Sequence, residues 1–448
     1  MTIRLKKMCM GLFGLVLLLS GLVFWLIQDE PISQNATALL ADVRFYEADL
    51  KQDPYFLWLG FEAKTDAEQQ LLGQKIYHRD WKNFYQTNSV YIDEPIERFS
   101  ELQGNFLTEA DEKVFEQLKE DLHAEIGIEV YQKQQTALEE IYTRQSVLNA
   151  RWQVLIHQAP TQQVLALSVE GAIPNFALMM KIHRLYVAHL LFQTDVAGLV
   201  RYTEALIRKD QSAVSLIDKM IMLNLISHNI EVIHELNQRL GQKHTLSELS
   251  LTQMSMRFPF ASETAVMQQV TNRLVDRQSP QGMFDFIYED KNQQKSVEKH
   301  PIADFFTPLL LLKNQSLNRY VSYIHPTLVI SELPNPQFKQ ALQQPHDSTV
   351  KRSWLKNFMG NKLVDVALPR WETYAIRPRL INQKIVLLNV LAQHQAIDLN
   401  KLNKNLQGYE FYRTKTALCI KTPNPYLDEE EERKYGSCLK LEDQKGKR

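Results

Sequence analysis

Apolar positions along this chain follow two regimes, one unbroken and one periodic. From Met8 to Ile27 there are 20 residues without a charge, and a bilayer core takes roughly 20 helical residues to cross. Beyond that run the apolar positions recur at helical spacing. The clearest stripe is Val214, Ile217, Ile221, Leu225, Val232, Leu236 and Leu240, stopped by Gly241. Helix starts are marked by capping boxes at Thr65–Glu68 and Thr245–Glu248. Thr108 is followed by Glu109, Asp111 and Glu112, acids that suit the positive end of a helix dipole. Pro174 fits the first turn of a helix through Leu178, Ile182, Leu185, His189 and Leu190.

These signals predict helices near 38–50, 66–86, 109–126, 128–158, 174–193, 196–209, 212–240, 246–255, 262–278, 302–325 and 376–398. No fixed period of side-chain identities links them, so antiparallel hairpins are expected rather than a named repeat. Prolines gather late: 12 of the 17 lie at or after Pro259, which predicts shorter helices there. After Lys401 the pattern turns strand-like at Tyr409–Arg413, Ala417–Lys421 and Cys438–Leu441. The expected fold is mainly α: an N-terminal transmembrane helix, an elongated or bundled multi-helix body, and a small C-terminal β-hairpin. The expected divisions are a tail (1–7), an anchor (8–27), a linker (28–37), a long-helix domain (38–258), a proline-richer region (259–400) and a disulfide-closed tail (401–448).

The apolar run ends in Phe24, Trp25, Leu26 and Ile27, unlike a signal-peptidase site, and the nearby small-x-small triplet Ala36-Thr37-Ala38 lies well past it. It therefore reads as a retained anchor rather than a cleaved leader. Arg4, Lys6 and Lys7 precede it and Asp29 and Glu30 follow, which predicts a cytoplasmic amino end and an exported body. Export changes the meaning of the cysteines. Cys419 and Cys438 both follow the anchor, and an even pair in an oxidising space reads as a disulfide.

Lys+Arg number 51 against Asp+Glu 52, so the chain lacks the basic footprint of a nucleic-acid binder and none is expected as a partner. Pro54-Tyr-Phe-Leu-Trp-Leu-Gly-Phe61 is apolar on both faces of any strand. It reads as a buried extended segment or, alternatively, as an interaction patch of Tyr55, Phe56, Trp58 and Phe61 for membrane or partner. The stretch Asp53-Pro-Tyr-Phe-Leu-Trp-Leu-Gly60-Phe-Glu-Ala63, following a short anchor, resembles a group of uncharacterised Gram-negative inner-membrane proteins over about the first 70 residues. That resemblance implies an inner-membrane location and carries no catalytic residue.

Catalytic motifs are absent or broken. Ser-x-x-Lys spacings occur at Ser296, Ser348, Ser353 and Ser437, but Lys415-Thr416 is followed by Ala417 where the partner motif needs glycine. Glu120/His123 and Glu231/His234 have the Glu-x-x-His spacing of helical di-iron sites, without the further buried glutamates such a site requires. His189 and His228 lie in apolar stripes and read as hydrogen-bonded core residues. The run Asp428–Lys434 reads as a short capped helix with i,i+4 ion pairs. Neither a P-loop nor Gly-x-Gly-x-x-Gly occurs. No catalytic residue, metal or cofactor is therefore expected. The expected role is a periplasmic binding or scaffold module, serving an envelope assembly through a protein partner. The alternatives are an anchored envelope hydrolase with dispersed catalytic residues, or a structural spacer.

Overall fold

The structure, a computed structural model, describes residues 3–45, 53–86, 99–124, 127–159, 163–168, 171–276, 311–343, 356–367, 371–393, 398–406, 408–421 and 437–441. The charge run 428–434, the hydroxyls of Ser296, Ser348 and Ser353, and the imidazole of His123 lie outside what is described.

Helix α1 (Ile3–Ile27) leads to α2 (Gln34–Leu40), strand β1 (Val43–Arg44), α3 (Tyr55–Leu59) and α4 (Asp66–Gln86). Next come α5 (Glu109–Ala124), α6 (Ile128–Lys133), α7 (Gln135–Arg144), α8 (Ser146–His157), strand β2 (Val164–Leu165) and α9 (Phe176–Phe192). The centre is built by α10 (Val196–Asp210) and α11 (Leu216–Leu240), followed by α12 (Leu251–Met254) and α13 (Arg257–Asp276). The last part holds α14 (Lys313–Ser331), α15 (Asn335–Gln343), α16 (Phe358–Ala367), α17 (Trp371–Gln393), α18 (Leu399–Asn405) and strands β3 (Phe411–Arg413), β4 (Ala417–Ile420) and β5 (Cys438–Lys440). The fold is mainly α with a small C-terminal antiparallel sheet.

That sheet has three strands, one more than a hairpin, in the order β3-β4-β5. Its register sets Cys419 opposite Cys438, and the two are bridged with Cα atoms 4.1 Å apart. Both outer strands are covered. Asn403 bonds the amide and carbonyl of Phe411, while His234 and Gln238 of α11 reach the Lys440 carbonyl at 2.6 and 3.0 Å.

Helix α1 differs from the rest. Leu12, Phe13, Leu18 and Phe24 are 65, 66, 75 and 66% exposed, so its apolar surface faces outward on every side. Among the described residues no helix is long and apolar enough to cross a membrane, and the described side chains of α1 run only from Gly11 to Ile27. Residues 29–33, within the expected linker 28–37, are bonded to the start of α14. Asp29 accepts from the Asn314 and Gln315 amides at 2.9 and 3.0 Å, satisfying the open first turn of α14. Asn318 adds bonds to Glu30, Pro31 and the Ser33 amide. Ser33 then caps α2.

Several helices depart from expectation for identifiable reasons. The 128–158 helix is broken at Gln134 and Gln145, and the Tyr142 carbonyl released by the second break is taken by Asn149. At 246–255 only the turn α12 forms, and its capping box is Ser250/Gln253 rather than Thr245/Glu248. The chain before it has other partners: Asn389 bonds both the amide and carbonyl of Leu246, and Asn382 the Leu249 amide. Pro326 and Pro378 lie inside α14 and α17 instead of bounding them. The buried faces of those helices, with Tyr320, Ile324 and Leu328 on either side of Pro326, outweigh the ~3 kcal/mol a proline costs. Helix α2 begins and ends earlier than the expected 38–50, and α15, α16 and α18 carried no clear signal.

The described residues form two large apolar cores and a small one around Phe338 and Ile376. One gathers Phe56, Phe61 and Trp152 with Ile385 and Leu388 of α17 and Leu418 of the terminal sheet. The other joins Leu39 and Val43 to Phe260, Ile324 and Trp371. Helix α11 is buried on most of its circumference, so its stripe was only partly the core face: Ile217 and Leu240 remain exposed while Met222, Ile226 and Ile233 are buried.

Candidate functional site

Tyr55, Phe56, Trp58 and Phe61 are 5, 0, 6 and 0% exposed. Tyr55, Phe56 and Trp58 lie in the short helix α3 and Phe61 in the turn after it, not in an extended stretch, and Gly60 and Gly73 let this segment and α4 approach closely: a Cβ on either would lie 1.8 Å from a carbonyl oxygen of the other segment. Arg151 holds the far end of that segment through the Phe61 and Ala63 carbonyls and Asp66. These rings are packing, and the interaction-patch reading is withdrawn. The Tyr55 hydroxyl and Trp58, however, border a hollow that the sequence did not disclose.

The hollow sits where α10 turns into α11. Ser215 and Asp218 form a reciprocal capping box, and Asp218 also accepts from the Val214 amide at 3.2 Å. Burial pushes the Asp218 carboxyl up to about 6 against these hydrogen bonds. Asp210, at the end of α10, is buried against Lys219 of α11 with Nζ–Oδ2 2.5 Å, and burial raises it to about 6 as well. Lys209 points the other way. Its Nζ lies 5.3 Å from the Trp58 ring centroid and 3.5 Å from Gln158 Oε1. Desolvation lowers it to about 8, with Asp218 and Asp53 opposing.

Strands β1 and β2 complete this wall. Their parallel pairing, Val43 with Val164 and Arg44 with Leu165, brings Arg44 to Asp53. Asp53 also accepts from the Tyr55 amide at 2.8 Å. The resulting cavity is ≈ 30 Å³, lined by Tyr55, Trp58, Lys209, Asp53, Asp218 and neighbours. On the other side of the first turn of α11 lies a second hollow of ≈ 150 Å³ beside Tyr77, Asp80, Trp81 and Glu263. Burial raises Glu263 to about 7, despite a backbone bond from Leu216, and raises Asp80.

The second buried polar cluster fills the space between α8, α9, α10 and α11. The Trp152 indole donates to the Tyr202 hydroxyl at 2.7 Å, and that oxygen lies 2.6 Å from His183 Nδ1. Indole can only donate, so the Tyr202 oxygen accepts there; its own proton serves Nδ1 in the tautomer that carries the His183 proton on Nε2. Tyr131 and His228 form a similar pair at 2.6 Å. Burial keeps both imidazoles neutral, His183 well below its ordinary value and His228 at about 4. His228 is thus the hydrogen-bonded residue expected, whereas His189 stacks on Tyr142 with centroids 4.0 Å apart.

The Glu-x-x-His pairs are not brought together. Glu231 bonds Lys384 and His234 bonds the Lys440 carbonyl, while Glu120 is exposed on α5. Among the described residues no group of His, Cys, Asp and Glu could hold a metal ion. Compared with protein-family models, with curated proteins and with solved structures, the chain matches none. One signal for the α10–α11 site was available: the mirrored pairs Lys209-Asp210 and Asp218-Lys219 flank the helix junction. Nothing local marked those charges as buried.

Proposed function

We propose that this chain is a single-pass inner-membrane protein with its amino end in the cytoplasm and a helical periplasmic body acting as a binding or scaffold module in an envelope assembly. The supporting observation is α1, apolar and outward-facing around its whole circumference, joined to the body through a fixed junction at Asp29–Ser33. A helix that is apolar all round belongs either in a large core or in lipid. The basic residues before it and the acids after it set the direction, and the bridged Cys419–Cys438 pair suits an oxidising compartment. Fixed coupling of α1 to α14 would hold the body in one orientation at the membrane surface, which is useful to a scaffold.

A reporter active only outside the cytoplasm, fused after Arg448, should be active, and the protein should resist alkaline extraction from membranes. Release of a processed soluble form would sink the reading. Crosslinking from intact membranes should then capture a stoichiometric protein partner. The hydrolase alternative draws on buried Lys209, lowered to about 8, and half-buried Glu263, raised to about 7, both by desolvation.

A further inference from the structure

Tyr55 and Lys209 both line the α10–α11 hollow, and each has donor capacity to spare. The buried Tyr55 hydroxyl has no hydrogen-bond partner. Lys209 offers three ammonium protons, yet its hydrogen-bond acceptor, Gln158 Oε1, stands at the long limit of 3.5 Å. The carboxylates on the same wall are better served: Asp53 by Arg44 and the Tyr55 amide, Asp218 by the Val214 and Ser215 amides.

Charge and size restrict the guest. Arg44 and Lys209 balance Asp53 and Asp218, so an ionic guest would leave one buried charge uncompensated, whereas a neutral one would not. It must bring an acceptor oxygen for the Tyr55 hydroxyl and the remaining Lys209 protons, and a donor would find carboxylates beside it. The cavity of ≈ 30 Å³ compares with about 10–15 Å³ for one enclosed water, which suits a group of two or three heavy atoms. Trp58 and Met222 add an apolar wall for a short substituent.

We propose that this hollow binds an amide group, its carbonyl oxygen received by the Tyr55 hydroxyl and the Lys209 ammonium and its N–H directed to the Asp53–Asp218 wall. An amide of this kind is carried by an N-acetylated sugar or by a peptide, and the shared chemistry is the acylamide itself. The site does not depend on whether α1 crosses a membrane.

Saturation-transfer NMR on the full chain in detergent tests this with two probes, N-acetylglucosamine and acetyl-dialanine-methylamide, and with glucose as the control that lacks the amide. The acetyl methyl of at least one probe should receive saturation, and whichever responds identifies the carrier. The signal should fall at least fivefold in Tyr55→Phe and in Lys209→Met. Tyr55→Phe removes only a hydroxyl without a protein partner, so it leaves the fold intact. Silence from both probes on the wild-type chain, a glucose signal of equal size, or an unchanged signal in both variants would overturn the assignment.

Discussion

The two buried polar clusters of this protein solve the same problem in different ways. In the core, Trp152, Tyr202, His183, Tyr131 and His228 are bonded as neutral groups, and burial keeps them neutral. At the α10–α11 junction, the Lys219–Asp210 and Arg44–Asp53 pairs are ionic, and Lys209 and Asp218 stand beside them. Neutral hydrogen-bond chains cost little to bury once paired, whereas ions are expensive to bury even when paired. The core cluster leaves His183 Nε2 without a partner; the junction leaves the hydroxyl of Tyr55, a residue lining the hollow, without one. The first arrangement specifies packing. The second keeps binding capacity at some expense in stability.

The largest expected effect breaks the ionic side. Lys219→Met should destabilise the body by ~3–5 kcal/mol, because Asp210 then sits buried with no counter-charge and one of its oxygens already lacks a partner. Adding Asp210→Asn should restore most of that loss. Denaturant titration of both variants measures it, and a cost below about 1 kcal/mol for the single variant would mean that water reaches the pair.

The same substitution applied to each cluster should give opposite results. Tyr202→Phe removes the acceptor of the Trp152 indole and the donor to His183 at once, and should cost about 2–3 kcal/mol. Tyr55→Phe removes a hydroxyl with no protein partner and should change stability by no more than about 0.5 kcal/mol. Equal losses would erase the distinction between packing and site.

Much of the scaffold was legible because its signals are local. Thr65 precedes α4 as expected, although its amide and hydroxyl both donate to Glu68, and the acids after Thr108 open α5, where Asp111 and Thr108 cap each other's amides. Cys419 and Cys438 meet because the strand-like segments read at Ala417–Lys421 and Cys438–Leu441 pair in a register that sets the two cysteines opposite each other. The capping box at Thr245/Glu248 failed although it is equally well formed. Caps contribute about 1 kcal/mol, and three asparagine bonds from α17 to Leu246 and Leu249 hold the backbone otherwise. The site was illegible for the same reason. Arg44 reaches Asp53 through a two-residue parallel pairing with residues over a hundred positions away. Lys209 and Asp218 stand at helix ends, where charges are ordinarily solvated, and the packing of α3 and the β1–β2 wall against that junction encloses them.

The two regions should also respond oppositely to pH. Glu263 binds its proton more tightly when folded, with a value of about 7 against an ordinary 4.5. Its contribution is therefore complete in acid and is lost as pH rises from about 4.5 through about 7, since the unfolded chain ionises first. His228 is the reverse. Its folded value of about 4 lies below the ordinary 6.5, so the folded chain resists protonation and loses stability as pH falls from about 6.5 towards about 4. Both side chains are partly accessible, so each effect should be about 1–2 kcal/mol after solvent screening. Glu263→Gln should gain on the wild type as pH rises through the first window. His228→Gln, which can still bond Tyr131, should gain on it as pH falls through the second. Denaturation midpoints at pH 4, 5.5 and 7 read both trends from the same three samples. If the Glu263→Gln difference stays flat from pH 4.5 to 7, that carboxyl is not held protonated by burial, and the junction loses the acid–base character that sets it apart from the core.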